Sequence, residues 1–505
     1  MSQIIGIDLG TTNSVVSYYK DGRVKVLSLE GHTTTPSVLL FDGDKIEVGH
    51  KAKNRMAIVP EKILESTKRD MGKDVVYHKE GKDITPMKAA SLILKKLKQM
   101  AEAELNDVVN DVVITVPAYF GTKAKNATYE AALNAGLKPL LLVPEPVAAA
   151  ICYAQNRQSE QTLVVVDLGG GTFDVAVLHY HKENEEPVYE VLGTPGGDPC
   201  LGGVVFDRCI VDWLIKEEGA KGFKDKLELQ VYAEKAKIDL ASADVAEIDC
   251  PFVKTTLSRD QYKNLIKDYL KQICDTIKTT VANSGKSLDE IDRYILVGGS
   301  CKHPIIRETI AECVGKEPFA STNLDTVVAE GAAWNHHMLT TPHPHPGIVK
   351  TVCSMSLGTD VYNYETGVKF NAILIKAGTK LPTQVASIAF IQNGQHKLVS
   401  GVCEGDKEKF DDNNLLDSIE INLKYSGEHV VITVFKLDNS GILSFETYEI
   451  EIVASLLDDI EALCNNQDKK TTVIDWDLWT QFYAKHKSHI EKTYIELNLD
   501  NSKDK

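Results

Sequence analysis

The 505-residue sequence predicts a large α/β domain carrying an internal duplication, then an antiparallel β-sandwich and a short helical C-terminal tail. Three observations carry that prediction. Leu163–Leu178 (LVVVDLGGGTFDVAVL) runs apolar residues into Asp167, three glycines, Thr172, Asp174 and a second apolar stretch, the pattern of a β-hairpin with a bare-backbone turn. Ile4–Tyr19 (IIGIDLGTTNSVVSYY) repeats the pattern around Asp8, Gly10, Thr11, Thr12 and Asn13, and a matched pair about 160 residues apart points to duplication rather than two unrelated glycine-rich hairpins. From Val352 onward the pattern changes to short alternating strands separated by turns such as Asn393-Gly394 and Ser426-Gly427, as in an antiparallel sandwich.

The two hairpins also suggest chemistry. Consecutive backbone amides in a glycine turn form an anion-binding nest. Glycines let a ligand approach because no Cβ intervenes. Asp167 and Asp174 flank the nest Gly169, Gly170 and Gly171, an arrangement suited to a phosphate carried with a divalent cation. Two such hairpins facing each other can clamp a triphosphate.

Between the hairpins, Val38–Phe41 reads as a strand and Thr67–Gly72 as a turn, in which Lys68 alone would pass for a solvated loop lysine. Thr85–Leu105 reads as a helix capped by Thr85 with Pro86 at its first position. Val112–Val116 is a strand ending at Pro117, Thr122–Ala135 a helix closed by Gly136, and Leu140–Val143 a strand running into Pro144-Glu145-Pro146. Alternating strands and helices imply a partly parallel sheet. Glu145 stands at a strand end, where ligands gather in open α/β sheets, or is simply an acid favoured at a helix N-terminus.

Past the second hairpin, Gly202-Gly203 precedes a helix, and Leu227–Ala241 is a helix whose Glu234 and Lys237 suit an i,i+3 surface pair. Tyr294–Val297 leads into Gly298-Gly299-Ser300, a third glycine-rich turn, and Asp325 heads a further helix. Thr340–Gly347 (TTPHPHPG) reads as a linker. Its two histidines are too few for a metal site. Strands follow at Lys369–Ile375, Ala386–Gln392, His396–Val402, Ser418–Leu423, Val430–Leu437 and Ile442–Ile452, then an amphipathic segment over Thr472–Leu499 with Trp476, Trp479, Tyr483, Ile490 and Tyr494. The expected domains are 1–339, a linker 340–351, a sandwich 352–455 and a tail 456–505.

Composition bounds the function classes. A formal net charge of −16 disfavours nonspecific binding to nucleic acid or anionic membrane. No apolar run is long enough to span a bilayer, and the N-terminus lacks the pattern of a signal peptide. The 10 cysteines form no Cys-x-x-Cys pair, so free thiols in a reducing, cytoplasmic compartment are expected.

The segments IGIDLGTTNS, VVITVPAYF, VVDLGGGTFDVAVL, AEKAKIDL, ILVGGS and VAEGAA stand in the order and spacing of the DnaK-type seventy-kilodalton heat-shock chaperones. The chain resembles that family over nearly its whole length. Its short length, the KRDMG turn and VKTVCSMSLG are most similar to the short bacterial members called HscC. The resemblance implies an actin-like two-lobed ATPase domain joined to a peptide-binding β-sandwich, acting in protein folding and the stress response. It implies ATP/ADP and Mg²⁺ as cofactors, with slow hydrolysis.

By that resemblance, Gly10, Thr11, Thr12, Asn13 and Gly169–Thr172 hold the phosphates, and Asp8, Asp167 and Asp174 hold Mg²⁺ largely through water. Lys68 matches the catalytic lysine, with Glu145, Thr172 and Asp174 ordering the attack. Gly202, Gly203, Glu234, Lys237, Gly298, Gly299, Ser300, Lys302 and Asp325 surround the adenosine. Thr359, Tyr362, Ile388, Ile391 and Leu398 align with the peptide groove, and Pro117 with Lys125 forms the allosteric pair.

The chain departs from the family at several of these places. Lys302 stands where an adenine-stacking arginine is usual, Ala241 replaces a serine near the adenine, and Val204 replaces an acid. Leu141 takes the place of the arginine that helps receive J-domain co-chaperones. Gly347–Thr351 replaces an acidic, leucine-rich linker, and a lysine in place of leucine removes apolar driving force for docking. The long helical lid has no room after Ile452. Client polypeptides, a J-domain co-chaperone and a nucleotide-exchange factor are the implied partners. The expected function is an ATP-dependent chaperone with a truncated lid. A nucleotide-switched interaction protein with one dedicated partner is the alternative, and a sugar kinase on the same fold is disfavoured by the β domain.

Overall fold

The computed structural model describes residues 3–154, 159–184, 186–217, 226–250, 253–320, 323–340, 348–363, 367–464 and 472–493. The chain divides into two compact units, residues 1–120 with 127–350, and residues 121–126 with 351–505.

The first unit is built on two sheets of one plan. In the first, β1 (Gln3–Asp8) and β2 (Asn13–Lys20) form the early hairpin, with β3 (Arg23–Val26) beside β2. β4 (Val109–Val116) lies parallel to β1 on its other side, and β5 (Lys138–Pro144) parallel to β4. In the second, β6 (Gln161–Leu168) and β7 (Phe173–Glu183) form the later hairpin, with β8 (Glu186–Asp198) beside β7. β9 (Arg293–Val297) is parallel to β6, and β10 (Phe319–Ala320) parallel to β9. The shared orders are thus β5-β4-β1-β2-β3 and β10-β9-β6-β7-β8.

The hairpin and parallel strands read as near-continuous apolar runs because both faces of each sheet are covered. Val164, Val166, Val175 and Val177 point into one core with helices α4 (Gly203–Lys216) and α5 (Lys226–Asp239). Two helices in equivalent positions, α3 (Glu145–Ala154) and α8 (Val327–Thr340), pack on each other. A Cβ at Gly331 would overlap the Ala148 carbonyl, so glycine is what lets them meet. The predicted helix at Thr85 is α1 (Pro86–Leu105), with Thr85 Oγ1 accepting from Lys88 N at 3.1 Å.

The linker reading changes at one end. Residues 341–347, with both histidines, lie outside the described residues. Ile348–Lys350 is not linker but strand β11, added in parallel to the edge strand β8. Lys350 Nζ reaches Glu183 at 2.6 Å. An ion pair accompanies the main-chain bonds where apolar burial was expected to be lost.

The second unit is a sandwich with an extra layer. One sheet has β12 (Leu357–Asn363), β13 (Val368–Ile375), β15 (Lys397–Glu404) and β16 (Asn414–Asn422), in the order β13-β12-β15-β16. The other has β14 (Thr383–Ile391), β17 (His429–Leu437), β18 (Leu443–Glu451), β19 (Val473–Ile474) and β20 (Ile490–Thr493), in the order β19-β14-β17-β18-β20. Leu357, Ile391, Val402, Ile419 and Phe435 fill the space between them.

The C-terminal segment corrects the expectation of a single amphipathic run. Val473–Ile474 and Ile490–Thr493 are edge strands, and between them lie α10 (Trp476–His486) and a short 3₁₀ turn over Lys487–His489. Asp475 caps that helix, its Oδ1 accepting from Leu478 N at 3.0 Å. Trp479 and Phe482, with Ile460 and Leu463 of α9 (Leu457–Cys464), cover Ile432, Val434 and Ile450 on the outer face of the five-stranded sheet. The tail is therefore a third layer of its own unit. Tyr494 and the remainder lie outside the described residues.

Candidate functional site

The hairpin geometry delivers the acids. Asp8 ends β1, opposite Thr115 of β4, whose Oγ1 donates to Asp8 at 3.2 Å. Asp167 and Asp174 face each other across the second hairpin. Asp174 Oδ1 accepts from Ala118 N at 2.8 Å, while Oδ2 is buried without a hydrogen-bond partner. Glu145 sits at the first turn of α3 and is buried.

Lys68 does not project into solvent as a loop lysine would. The Thr67–Asp70 turn is a short 3₁₀ helix that buries it, and its Nζ donates to Glu145. Its ammonium also lies 6.0 Å from the Phe120 ring centre. Burial alone would lower its pKa. The charges of Glu145, Asp8 and Asp174 outweigh that and hold it above the ordinary value.

The same burial acts on the acids in the opposite sense. Asp8 is raised to about 7, first by burial and then by the charge of Glu145, against Lys68 and Thr115. Asp167 and Asp174 are raised well above the usual carboxylate range, again by burial first and Glu145 second. Several acids around one ammonium leave uncompensated negative charge, which a cation would relieve. No three of the described acids converge as a direct ligand set, so a cation here would be held in part by water or by a ligand's own oxygens.

The two glycine turns abut. A Cβ at Gly170 would overlap Thr12 Oγ1, and one at Gly171 would overlap Thr11 Cγ2. The hydroxyls of Thr11 and Thr12 are buried and lack hydrogen-bond partners, an orphaned donor pair beside backbone amides, as an anion site requires. Gly10 is fixed by Ser37, whose Oγ donates to its carbonyl at 2.7 Å, and Asn13 opens β2 at the turn's end. Thr172 is buried, and its carbonyl accepts from Gly169 N at 3.0 Å.

The expected adenosine residues gather on the second hairpin's flank. Gly203 N and Val204 N donate to the carbonyls of Gly169 and Gly170 at 3.1 and 2.7 Å, and a Cβ at Gly202 would press on the Gly170 backbone. Ser300 Oγ donates to Gly169 O at 2.8 Å. Gly298 has φ 86° and adjoins Asp167, and Gly299 adjoins Asp325. Lys237 reaches Gly203 O at 3.1 Å and Asp207 at 2.7 Å rather than Glu234. Glu234 instead pairs with Lys53 at 2.9 Å. Lys302 pairs with Asp325.

Three neighbours escaped the sequence reading. Arg69 Nε donates to Gly171 O at 2.9 Å, and its Nη2 is buried without a partner. It stood in plain view beside Lys68. Asp207 and Lys53 reach the site only through folding, and no local pattern marks them.

The expected groove residues lie in more than one environment. Thr359 is buried and donates to Gly401 O at 2.9 Å. Ile388 lies under the tail helices, Ile391 lies between the sheets with Leu398 packed against that core, and Tyr362 is exposed. Pro117 is buried in the first unit, its carbonyl accepting from Phe120 N at 3.1 Å. Lys125 is buried in the second, where burial lowers its pKa.

A family model described as Hsp70 protein matches residues 4–80 and 73–470. Proteins of that family bind ATP or ADP with Mg²⁺, hydrolyse ATP and bind client polypeptides. A match over most of the chain, laid on facing glycine turns and a buried lysine among carboxylates, makes this chain a member of the Hsp70 family.

Proposed function

We propose that this chain is an ATP-hydrolysing chaperone whose first unit is an actin-like pair of lobes and whose second unit takes client peptide. The observation that carries the reading is Lys68, buried against Glu145 beside Asp8 and Asp174, where the two glycine turns abut. The amides of Gly169–Thr172 and the hydroxyls of Thr11 and Thr12 bind the phosphates. Asp8, Asp167 and Asp174 hold Mg²⁺, which supplies charge neutralisation at the transferred phosphoryl group. Glu145 and Asp174 orient the attacking water and accept its proton, and Lys68 stabilises negative charge on the terminal phosphate. Gly202, Gly203, Ser300 and Lys237 wall the adenosine. The resemblance to HscC belongs to this reading, as do a cytoplasmic location and the J-domain and exchange partners.

The test is single-turnover ATP hydrolysis with and without short apolar peptides. Parent protein hydrolyses ATP, and Lys68→Ala binds ATP without hydrolysing it. Undiminished turnover in Lys68→Ala removes the catalytic assignment. The second reading, a nucleotide-switched partner of one protein, is favoured by the dispersal of Thr359, Ile388 and Ile391 into separate environments. Hydrolysis indifferent to every peptide would select it.

A further inference from the structure

Two thiols outside the nucleotide site are placed for chemistry with each other. Cys274 lies in α6 (Lys267–Asn283) and Cys313 in the last turn of α7 (Pro304–Val314), and these helices pack together. Cys274 Sγ lies 3.8 Å from the carbonyl oxygen of Thr309, one turn before Cys313 on the same helix. Cys313 Sγ in turn lies 3.7 Å from the carbonyl oxygen of Cys274. Residues four apart share a helix face, so Cys274 reaches over the turn that presents Cys313. Cys250, Cys301, Cys353 and Cys403 are buried, whereas Cys274 and Cys313 are only half-buried. A small oxidant can reach them.

We propose that Cys274 and Cys313 are a redox modification site, closed to a disulfide between α6 and α7 by a hydroperoxide and reopened by a thiol reductant. In the first step the Cys313 thiolate attacks the peroxide oxygen; the O–O bond breaks, leaving a sulfenic acid on Cys313 and an alkoxide or hydroxide that takes a proton from water. In the second, the Cys274 sulfur attacks the Cys313 sulfur. The S–S bond forms, the S–O bond breaks, and the thiol proton leaves with the hydroxyl as water. The thiols lose two electrons and the peroxide gains them. Reduction reverses this by thiol–disulfide exchange.

The surroundings fit this order of events. The neighbouring Cys274 thiol lowers the Cys313 pKa to about 7, against burial and with help from the Lys278 ammonium one turn beyond Cys274. The neighbouring Cys313 thiol, then burial, raises that of Cys274. Cys313 is thus the attacking thiolate and Cys274 the resolving thiol.

The experiment treats the full-length, reduced protein with one equivalent of hydrogen peroxide at neutral pH, then alkylates and maps every cysteine by mass spectrometry. The expected result is loss of two alkylatable thiols, recovery of one peptide joining Cys274 to Cys313, and return of both thiols on reduction. In Cys274→Ser, Cys313 should instead be trapped by dimedone as the sulfenic acid. The proposal is overturned if Cys274 and Cys313 stay alkylatable while exposed Cys200 or another thiol is oxidised, or if the cross-link joins other cysteines. Cross-linking in the parent without a trapped Cys313 sulfenate in Cys274→Ser would overturn the assignment of attacker and resolver.

Discussion

Replacing Lys68 by methionine removes the ammonium that faces Glu145, Asp8 and Asp174 while keeping much of its apolar stem. The pair with Glu145 is buried on both sides. Removing one partner of a buried ion pair costs about 3–5 kcal/mol, because the other charge is left without compensation. At about 1.4 kcal/mol per tenfold, hydrogen exchange of the β1 and β6 amides should speed up by roughly two to three and a half decades where it proceeds through opening of the first unit. The effect carries a pH signature. Asp8, held at a pKa of about 7, takes up a proton as the pH falls, so the penalty is largest near pH 8 and shrinks towards pH 5. Adding Glu145→Gln removes the stranded carboxylate, and the double variant should recover much of the loss. The assay is exchange mass spectrometry of nucleotide-free parent, both single variants and the double variant, at both pH values. If the two single effects add to within about 0.5 kcal/mol, Lys68 and Glu145 are uncoupled and this electrostatic account fails.

Asp8 gives a second pH test. Its folded pKa of about 7 lies well above the ordinary carboxylate value of about 3.9. The native state therefore keeps a proton that the unfolded chain loses, and stability falls as pH rises from about 4 to about 7. Nucleotide-free Asp8→Asn should match the parent near pH 3.5 and exceed it at pH 8, by at most roughly 4 kcal/mol, while binding Mg²⁺-nucleotide more weakly; a variant no more stable at pH 8 contradicts the shift. Gly171→Ala drives a Cβ into Thr11 Cγ2, and overpacking of about 1–3 kcal/mol should weaken nucleotide binding about tenfold in a fluorescence titration. Thr11→Ser, which deletes that methyl, should restore part of it, and no restoration would place the clash elsewhere. Lys350→Ala removes an ion pair exposed to solvent. Exchange at Ile348–Lys350 should rise less than about fivefold at low salt, and a larger effect would mean that the pair, not the main-chain bonds, holds β11.

The hairpins were legible because their chemistry writes itself locally. A strand covered on both faces needs an apolar run, a tight anion-binding turn needs glycine, and the acids must sit at the strand ends. Thr85 and Pro86 announced α1 for similarly local reasons. Strand β12 was missed. It starts Leu357-Gly358-Thr359-Asp360, residues of mixed strand preference, and Asp360 is tied to Gly401 N at 2.6 Å and Lys369 at 2.8 Å, partners visible only after folding. The groove was harder to read for a related reason. Along β14, Val385 and Ile391 face the four-stranded sheet, while Ala386 and Ile388 face the tail helices. Alternation separates the two faces but cannot say which belongs to a groove when a third layer makes both apolar. Arg69 shows the opposite case: its position was plain, but its use depends on Gly171 being brought to it from 102 residues away.

The cost stored in the nucleotide site connects these observations. Burying Asp8, Asp167, Asp174 and Glu145 together opposes folding, and Lys68 offsets it only in part, as the raised acids attest. A ligand that brings positive charge stabilises the native state in proportion to its occupancy, and part of that gain is relief of repulsion already present. Such a site answers less to a bare polyphosphate than to one accompanied by a cation, since the former adds negative charge to an acidic cradle. It also releases protons on binding, because acids held partly protonated near neutral pH ionise once a cation faces them. Calorimetry in buffers of different ionisation enthalpy would detect this as a buffer-dependent heat, strongest near pH 7 and weaker in Asp8→Asn. A heat independent of buffer in the parent would mean that the acids are already ionised without ligand, and the electrostatic cost invoked for Lys68 would lose its source.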